Sequence, residues 1–295
     1  MDEDAANAGD ITPIYICRPD GAAAVLARLS EAQRKFASAN NFSGAPGQLL
    51  SLADESGDIA AVLFGAGGPE DAFGNSALLA GDLAAKLQAG NYKIVSAPED
   101  WPAPLIATAW AMGAYKFTKY LKDQPAPARL VLTDDMQPAE TKSITEALAL
   151  GRDLINTPAG DMGPVALQQA AQDTANRHGA KLSAVIGEDL LAQNYPMIHA
   201  VGRAADRAPR LIDMRWGDSG PTLTLVGKGV CFDTGGLNLK PGASMCLMKK
   251  DMGGAAAVLG LARMIMALNL PLQLRVLVPA VENSVSANSF RPQDI

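Results

Sequence analysis

Segments typical of strands and segments typical of helices alternate along this chain, and this alternation limits the possible folds more than any other feature. In the first half, the strand-like runs ITPIYIC, AAVLFG and YKIVSA are separated by helix-like residues 22–39 and 76–89. In the second half, the runs KLSAVIG, RLIDMRW, TLTLVG and LQLRVLVPA are interspersed with helix-like residues 189–193 and 254–268. The pattern predicts an α/β fold whose sheets are largely parallel and covered by helices.

The length of 295 residues allows two domains, and 48% hydrophobic with 19% charged residues is ordinary for a globular protein. Helix-like residues 104–121 and the strand-like run RLVLTD complete the first α/β pattern, and MQPAETK then opens a long helix that ends near Asn156. We therefore predict an N-terminal α/β domain at residues 1–140 and a second domain at residues 141–295.

Charge and cysteine content narrow the classes of partner and compartment. A net charge of -6 and a pI near 5.0 disfavour nucleic acid or an anionic membrane as the main partner, so we expect a peptide or small molecule. The acidic start, MDEDAANAGD, does not resemble a signal peptide, and no apolar run approaches transmembrane length. Cys17, Cys231 and Cys246 are sparse and lack CxxC spacing, which indicates the reducing cytoplasm.

The glycine-rich segment at residues 225–254, LVGKGVCFDTGGLNLKPGASMCLMKKDMGG, places lysines and aspartates around tight turns. Thr222–Val226 should form a buried strand, so Lys228 and Asp233 would lie on the loop that leaves its carboxyl end, where open α/β sheets bind ligands. Because the chain has two histidines, a zinc site built on paired histidines such as HExxH is excluded. A metal would need mostly oxygen ligands.

Asp233 and Asp251 are each followed by glycines, which let the backbone pass close to whatever the carboxylate holds. Hard divalent ions prefer such oxygen ligands, and zinc accepts them too. Each aspartate also has an ordinary structural interpretation. Asp251 would cap the helix at residues 254–268, and Asp233 would stabilise a turn.

Two lysines are candidates for chemistry. Lys228 follows a predicted buried strand, where desolvation would favour the neutral amine that can bind a metal. Its alternatives are a solvated side chain or phosphate binding, although the GxxxxGK[ST] spacing is absent from the sequence. Lys240 precedes a proline, which favours extended backbone, and is a candidate electrophile that polarises a carbonyl and stabilises the oxyanion. Its alternative is a solvated loop lysine.

Several residues carry weaker signals. FGAGG at residues 64–68 lacks the full GxGxxG and is more typical of a turn that ends a strand. The spacing of Met245, Met248 and Met252 is typical of core packing, although Met248 could line an apolar substrate pocket. Ordinary structural roles are expected for four further residues: Cys231, Cys246, His178 and His199.

The segments VGKGVCFDTGGLNLKP and MKKDMGGAAAVLG, with RDLINTPAG before them and PAVENSVSANSFRPQDI after them, resemble the cytosolic leucyl aminopeptidase family of dinuclear metallopeptidases. The similarity is dense from about Thr141 onward, whereas the first domain agrees in its α/β pattern and length. The resemblance implies that residues 141–295 form a metallo-exopeptidase domain. Its activity would be the removal of N-terminal residues from peptides or amino-acid amides.

The resemblance also implies roles for individual residues. Lys228, Asp233 and Asp251 would be metal ligands, with Asp233 bridging two ions. Lys240 would be the electrophile that contacts the substrate, and Met248 would border the pocket for the first substrate side chain. The cofactors implied are two divalent ions, zinc or manganese with magnesium as a substitute, which activate water for attack on the peptide bond. The family assembles as a cytoplasmic homohexamer.

One part of the family pattern is absent from this sequence. Family members continue into an NTDAEGR stretch, which supplies an aspartate, a glutamate and an arginine that holds a bicarbonate, whereas this sequence ends at Ile295. Two divalent ions would bring four positive charges, and Asp233 with Asp251 would return two negative ones. Spacing does not support three other acids as substitutes: Asp161, Glu282 and Asp294. We therefore expect a truncated or partial enzyme with weakened metal binding and little turnover.

Two alternatives belong to other functional classes. A non-catalytic homologue or hexamer assembly subunit would not need near-stoichiometric metal at Asp233. A phosphate-handling enzyme would use Lys228 and the neighbouring glycines as an anion cradle, and would respond to phosphate but not to chelators.

Overall fold

The computed structural model describes residues 10–71, 76–123 and 126–295, so the acidic start at residues 1–9 lies outside the described residues. The chain divides into two compact units, Met1–Thr145 and Glu146–Ile295. Both units have α/β architecture, so the predicted fold class is confirmed. Within the described residues, no helix combines the length and the apolar character that crossing a membrane requires.

A five-stranded sheet forms the centre of the first unit. In spatial order its strands are β2 (Leu49–Ala53), β3 (Ile59–Gly65), β1 (Ile11–Cys17), β4 (Gly90–Ser96) and β5 (Ala128–Leu130). β1 pairs in parallel with β3 and β4, and β4 in parallel with β5, whereas β2 pairs antiparallel with β3. The antiparallel edge strand β2 has no counterpart in the sequence prediction.

The helices of the first unit are shorter than the sequence predicts. They are α1 (Ala22–Leu26), α2 (Glu31–Ala39), α3 (Gly81–Lys86) and α4 (Ala103–Ala114). The single helix predicted at residues 22–39 is wrong because Ser30 starts a new helix, its hydroxyl accepting from the Gln33 amide in a capping box. The helix predicted to reach residue 121 ends at Ala114, where Tyr115 turns to an extended ψ of 128°.

Six helices belong to the second part of the chain, the first of them spanning the division between the units. They are α5 (Pro138–Asn156), α6 (Pro164–His178), α7 (Asp189–Ala192), α8 (Pro196–Gly202), α9 (Gly242–Met245) and α10 (Gly253–Ala267). α6 ends as predicted at Gly179, which adopts a left-handed φ of 70° that glycine tolerates.

The sheet of the second unit is mixed. Its strands are β6 (Lys181–Ile186), β7 (Arg210–Trp216), β8 (Thr222–Val226), β9 (Gly229–Asp233) and β10 (Gln273–Asn283), with the spatial order β6, β7, β10, β8. β7 pairs antiparallel with both β6 and β10, and β10 pairs in parallel with β8 and β9. Apolar residues of α6 and α10 pack with those of β7 and β10 in one core that contains Leu167, Leu259 and Val278.

β10 is long enough to pair with two strands in succession. Residues 273–277 pair with β8, and residues 280–283 pair with β9, so the two short strands lie end to end beside β10 with a break at Gly227 and Lys228. Two sequence expectations are corrected here. β8 is not a buried strand, since its residues alternate between exposed and half-buried. Asp233 does not lie on a loop but ends the strand β9, which the sequence prediction lacks.

Candidate metal centre

Lys228 lies in the break between β8 and β9, and its backbone is fixed by the start of α10. The Lys228 carbonyl accepts from the Ala255 amide at 2.8 Å, and the Gly227 amide donates to Leu277 at 3.0 Å. A Cβ on Gly254 would come within 2.9 Å of the Lys228 nitrogen. Gly254, the second glycine of KKDMGG, is therefore needed because the helix backbone approaches the Lys228 backbone this closely.

The side chain of Lys228 forms an ion pair with Asp251. Its Nζ donates to Asp251 Oδ1 at 2.8 Å, and the Lys228 side chain is 57% exposed against 17% for Asp251. The expectation that burial desolvates this lysine is therefore wrong, because β8 exposes rather than buries the segment that leads into it. An ammonium already paired with a carboxylate also does not fit an anion cradle.

Asp251 does not cap the following helix. Met252 holds the N-cap position of α10, without a side-chain hydrogen bond to the helix. The second oxygen of the carboxylate, Asp251 Oδ2, is buried and has no hydrogen-bond partner among the described residues. A buried carboxylate oxygen without a partner costs about 1–3 kcal/mol or more, so the oxygen is suited to a cation placed against it.

Asp233 is held by three neighbours at the end of β9. Its Oδ1 accepts from the Gly235 amide at 2.9 Å and from Asn283 Nδ2 at 2.7 Å, and its Oδ2 lies 3.1 Å from Lys240 Nζ. Burial alone would raise the pKa of Asp233, but these hydrogen bonds and the Lys240 charge outweigh it and hold the pKa below its ordinary value. The bond to Gly235 shows that the turn interpretation holds alongside any ligand role.

Lys240 and Met248 lie on segments next to Asp233. The Lys240 amide donates to the Thr234 carbonyl at 2.9 Å, which closes the loop so that the lysine side chain, 31% exposed, reaches back to Asp233. Met248 is half-buried in a short 3-10 turn, Met248–Lys250, that packs against β9. Since Asp251 directly follows this turn, the two lysine-aspartate pairs lie on adjoining segments.

The donor set fits a divalent ion in part. Among the residues that the structure describes, no group of three or more His, Cys, Asp or Glu side chains is arranged to hold a metal. Glu282 and Asp294 are engaged elsewhere, since Arg291 binds Glu282 Oε1 at 2.5 Å and Asp294 Oδ2 at 3.2 Å. Within the described part of the chain, the candidate ligands at this site are therefore two carboxylates and one amine, with Asp251 Oδ2 as an acceptor that has no hydrogen-bond partner.

The weaker candidates have structural environments. Residues 64–68 end β3, and Asp71 accepts from the Gly68 amide at 2.7 Å, as expected for a turn that ends a strand. His199 contacts Glu188 at 3.0 Å, and His178 is the last residue of α6. Of the methionines, Met252 is fully buried in the core. Cys231 is buried and Cys246 exposed.

Asn283 is a site residue that the sequence analysis missed. It ends β10 and pairs in register with Asp233, to which it donates a hydrogen bond. The available signal was its position in PAVEN, at the carboxyl end of a strong strand pattern where polar side chains collect.

Family models match both units of this chain. The model described as the cytosol aminopeptidase family, catalytic domain, matches residues 149–295, and that of the M17 aminopeptidase N-terminal domain matches residues 12–133. A probable cytosol aminopeptidase of Corynebacterium glutamicum is 31% identical over 293 residues, which are 95% of this chain and 57% of the relative.

Solved structures agree with the family models. The crystal structure of cytosol aminopeptidase from Coxiella burnetii matches with a TM-score of 0.85 and 39% identity, over 98% of this chain and 62% of that one. The bottromycin maturation enzyme BotP in complex with Mn matches with a TM-score of 0.79 and 28% identity, over 97% of this chain and 62% of that one. This chain thus spans less than two thirds of the length of these relatives. The resemblance seen in the motifs is confirmed, and the chain belongs to the cytosol aminopeptidase family.

Proposed function

We propose that this chain provides metal ligands and an electrophile to a leucyl-type aminopeptidase, which removes N-terminal residues from peptides or amino-acid amides. The observation that carries the proposal is the unpartnered, buried Oδ2 of Asp251. Asp251 directly follows the Met248–Lys250 turn, which packs against β9, the strand that Asp233 ends. Membership of the cytosol aminopeptidase family supports the reaction. The two-domain organisation predicted at residues 1–140 and 141–295 belongs to the same proposal.

Lys228, Asp233 and Asp251 are the residues proposed to hold metal. Lys228 would bind as the neutral amine, after losing the proton that it donates to Asp251 here. When bound, the ions supply Lewis acidity for water attack on the first peptide carbonyl. Zinc or manganese, with magnesium as a substitute, suits a set of carboxylates and one amine. The manganese in the related BotP structure is compatible with this choice. A bicarbonate is proposed only for a chain that carries the NTDAEGR segment of the family.

Lys240 is proposed as the group that stabilises charge on the substrate. Its ammonium lies 3.1 Å from Asp233 Oδ2, so it can donate to a carbonyl oxygen placed beside that carboxylate. The oxygen gains negative charge as the carbon is attacked, and a positioned cation favours that state over the ground state. Met248, half-buried next to β9, is proposed to border the pocket for the first substrate side chain.

The assembly and compartment are proposals as well. Large apolar side chains are exposed in the second unit, among them Leu237 at 101% and Phe290 at 84% relative exposure. We propose a homohexamer because the motifs resemble a family that assembles in this way; the exposed apolar side chains are compatible with association, and light scattering would measure the mass. A cytoplasmic location is supported by the three free cysteines and by the names of the relatives.

A non-catalytic homologue or assembly subunit is the second candidate. It is favoured by the absence, among the described residues, of any group of three acidic, histidine or cysteine side chains around a common point. In this interpretation the ion pairs from Lys228 to Asp251 and from Lys240 to Asp233 are permanent structural contacts.

Metal analysis separates the two candidates. Three proteins are dialysed against zinc or manganese, and the metal bound to each is measured: the 295-residue wild type, the Asp251→Asn variant, and Glu55→Gln as a control at an exposed acid. The aminopeptidase proposal expects metal bound by the wild type and the control, with much less in Asp251→Asn. Equal, near-zero binding in all three would contradict it and favour the non-catalytic homologue.

Turnover tests the role of Lys240. We expect the chain to hydrolyse leucine p-nitroanilide slowly, because the site has too few carboxylates for two ions. Replacing Lys240 by Met should lower kcat by a further factor of about 10²–10³, the usual cost of removing one oxyanion donor. A Lys240→Met variant as active as the wild type would remove the electrophile from the proposal.

A further inference from the structure

A β-bulge changes which residue of β9 stands beside Asn283. The parallel ladder pairs Val230 with Val281, but its next pair joins Asp233 to Asn283, so β9 advances three residues while β10 advances two. In an uninterrupted ladder, Phe232 would stand opposite Asn283. Bulges are rare in parallel pairs, and they are found next to active sites where they redirect a side chain.

The bulge places a carboxylate and an amide side by side. Asn283 Nδ2 donates to Asp233 Oδ1 at 2.7 Å, and the Gly235 amide donates to the same oxygen at 2.9 Å. Both donors engage Oδ1, so Oδ2 is left directed at Lys240. The two oxygens of Asp233 are therefore not equivalent: Oδ1 accepts two hydrogen bonds, from Gly235 and Asn283, whereas Oδ2 is paired only with the Lys240 ammonium.

The backbone of Asn283 is itself firmly held. Its carbonyl accepts from both the amide and the hydroxyl of Thr234 at 2.9 Å. The preceding residue, Glu282, is 2% exposed and bound by Arg291. An amide on so rigid a support sets the rotamer of Asp233 at a low entropic cost.

We propose that Asn283 is a positioning residue for metal binding, which fixes Asp233 Oδ1 so that Oδ2 is presented to the ion. The inference rests on the proposed metal-binding function of Asp233 and adds a residue to it. Asn283 holds no metal itself. Loss of a hydrogen-bond partner of a ligating carboxylate lowers metal affinity about 10- to 100-fold.

The test compares Asn283→Ala with Asn238→Ala in the same 295-residue chain. Asn238 lies in the neighbouring loop with an exposed side chain, so it controls for general disturbance of the loop. Affinity for Co²⁺ is measured by visible absorption, which also reports ligand geometry, and the melting temperature is measured without metal. We expect Asn283→Ala to bind Co²⁺ about 10- to 100-fold more weakly with an altered spectrum, and Asn238→Ala to match the wild type. Equal affinity and identical spectra for Asn283→Ala and the wild type would overturn the proposal.

Crystal structures of the two variants without metal give a second readout. If the wild type binds no Co²⁺, the proposed metal function fails, and the position of the Asp233 side chain then decides the positioning role. We expect Asp233 to leave its rotamer or to occupy two rotamers in Asn283→Ala but not in Asn238→Ala. An unmoved Asp233 in Asn283→Ala would refute the positioning role whatever the metal result. If affinity falls while Asp233 remains in place, Asn283 acts in another way and the proposal is also wrong.

Discussion

Replacing Arg291 by Met should destabilise the second unit strongly. The guanidinium lies between two acids, with Nε 2.5 Å from Glu282 Oε1 and Nη1 3.2 Å from Asp294 Oδ2. The three side chains are 9%, 2% and 7% exposed, so the pairs are shielded from water. Methionine approximates the length of the arginine but leaves both carboxylates buried without their cation.

The cost is set by the acids left behind rather than by the bonds lost. Removing one partner of a buried ion pair costs about 3–5 kcal/mol, because the remaining charge has neither water nor a counter-charge. At about 2–4 °C per kcal/mol for a unit of this size, the melting temperature should fall by roughly 6–20 °C. Urea unfolding followed by circular dichroism measures the free energy directly.

A matched control and a mutant cycle define the result that refutes this reasoning. Arg203→Met changes an exposed arginine of the same unit and should alter stability by less than about 0.5 kcal/mol. Combining Glu282→Gln with Arg291→Met should cost clearly less than the sum of the single variants, because both remove the same ion pair. If Arg291→Met costs no more than Arg203→Met, the buried pairs do not stabilise the fold.

Three further predictions concern pH, thiol chemistry and backbone contact. Burial alone would raise the pKa of Asp213, but hydrogen bonds from two arginines hold this pKa below its ordinary value. The ionised Asp213 therefore stabilises the fold above its unfolded pKa, and this stabilisation is lost as the pH falls through the folded pKa. Acid titration of unfolding should therefore be shallower for Asp213→Asn than for the wild type. A disulfide reagent should modify the exposed Cys246 rapidly. Cys231 is buried, and burial raises the pKa of its thiol, so Cys231 should react only on unfolding. Mass spectrometry of the labelled peptides shows the order. Gly254→Ala should destabilise the fold by about 1–3 kcal/mol, because the added Cβ would lie 2.9 Å from the Lys228 backbone nitrogen. Gly253→Ala should not destabilise it, because the added Cβ would lie 3.8 Å from the Ile155 side chain. Thermal melts compare the two variants.

Periodicity predicts the elements that have a regular pattern and clear end signals. The run RLIDMRW coincides with β7, and α6 begins at Pro164 and stops before Gly179. The short strand β9 escapes such reasoning because GVCFD begins with glycine and its strand character depends on pairing with a distant part of β10. The division at Ser30 was open to prediction, because Ser30 and Gln33 have the capping-box spacing, but the helix-favouring residues on both sides conceal it.

The residues of the candidate site could be predicted from the sequence, but their contacts with one another could not. The motifs indicate Lys228, Asp233, Lys240 and Asp251, yet the contacts that define the site join residues far apart in the chain. Lys228 meets Asp251 across 23 positions, and Asn283 meets Asp233 across 50. The second contact depends on a register shift, which belongs to the pairing of two strands and to neither strand alone.

The interrupted edge beside β10 has a mechanical consequence. β8 and β9 both pair with the continuous strand β10. Lys228, in the break between them, can therefore lie outside the ladder while the residues on either side remain paired. Rotation of the Lys228 side chain, from Asp251 to another acceptor, then needs no displacement of the sheet. The amine of Lys228 can therefore change its partner on the timescale of side-chain rotation, nanoseconds or less, rather than on the slower timescale of strand rearrangement.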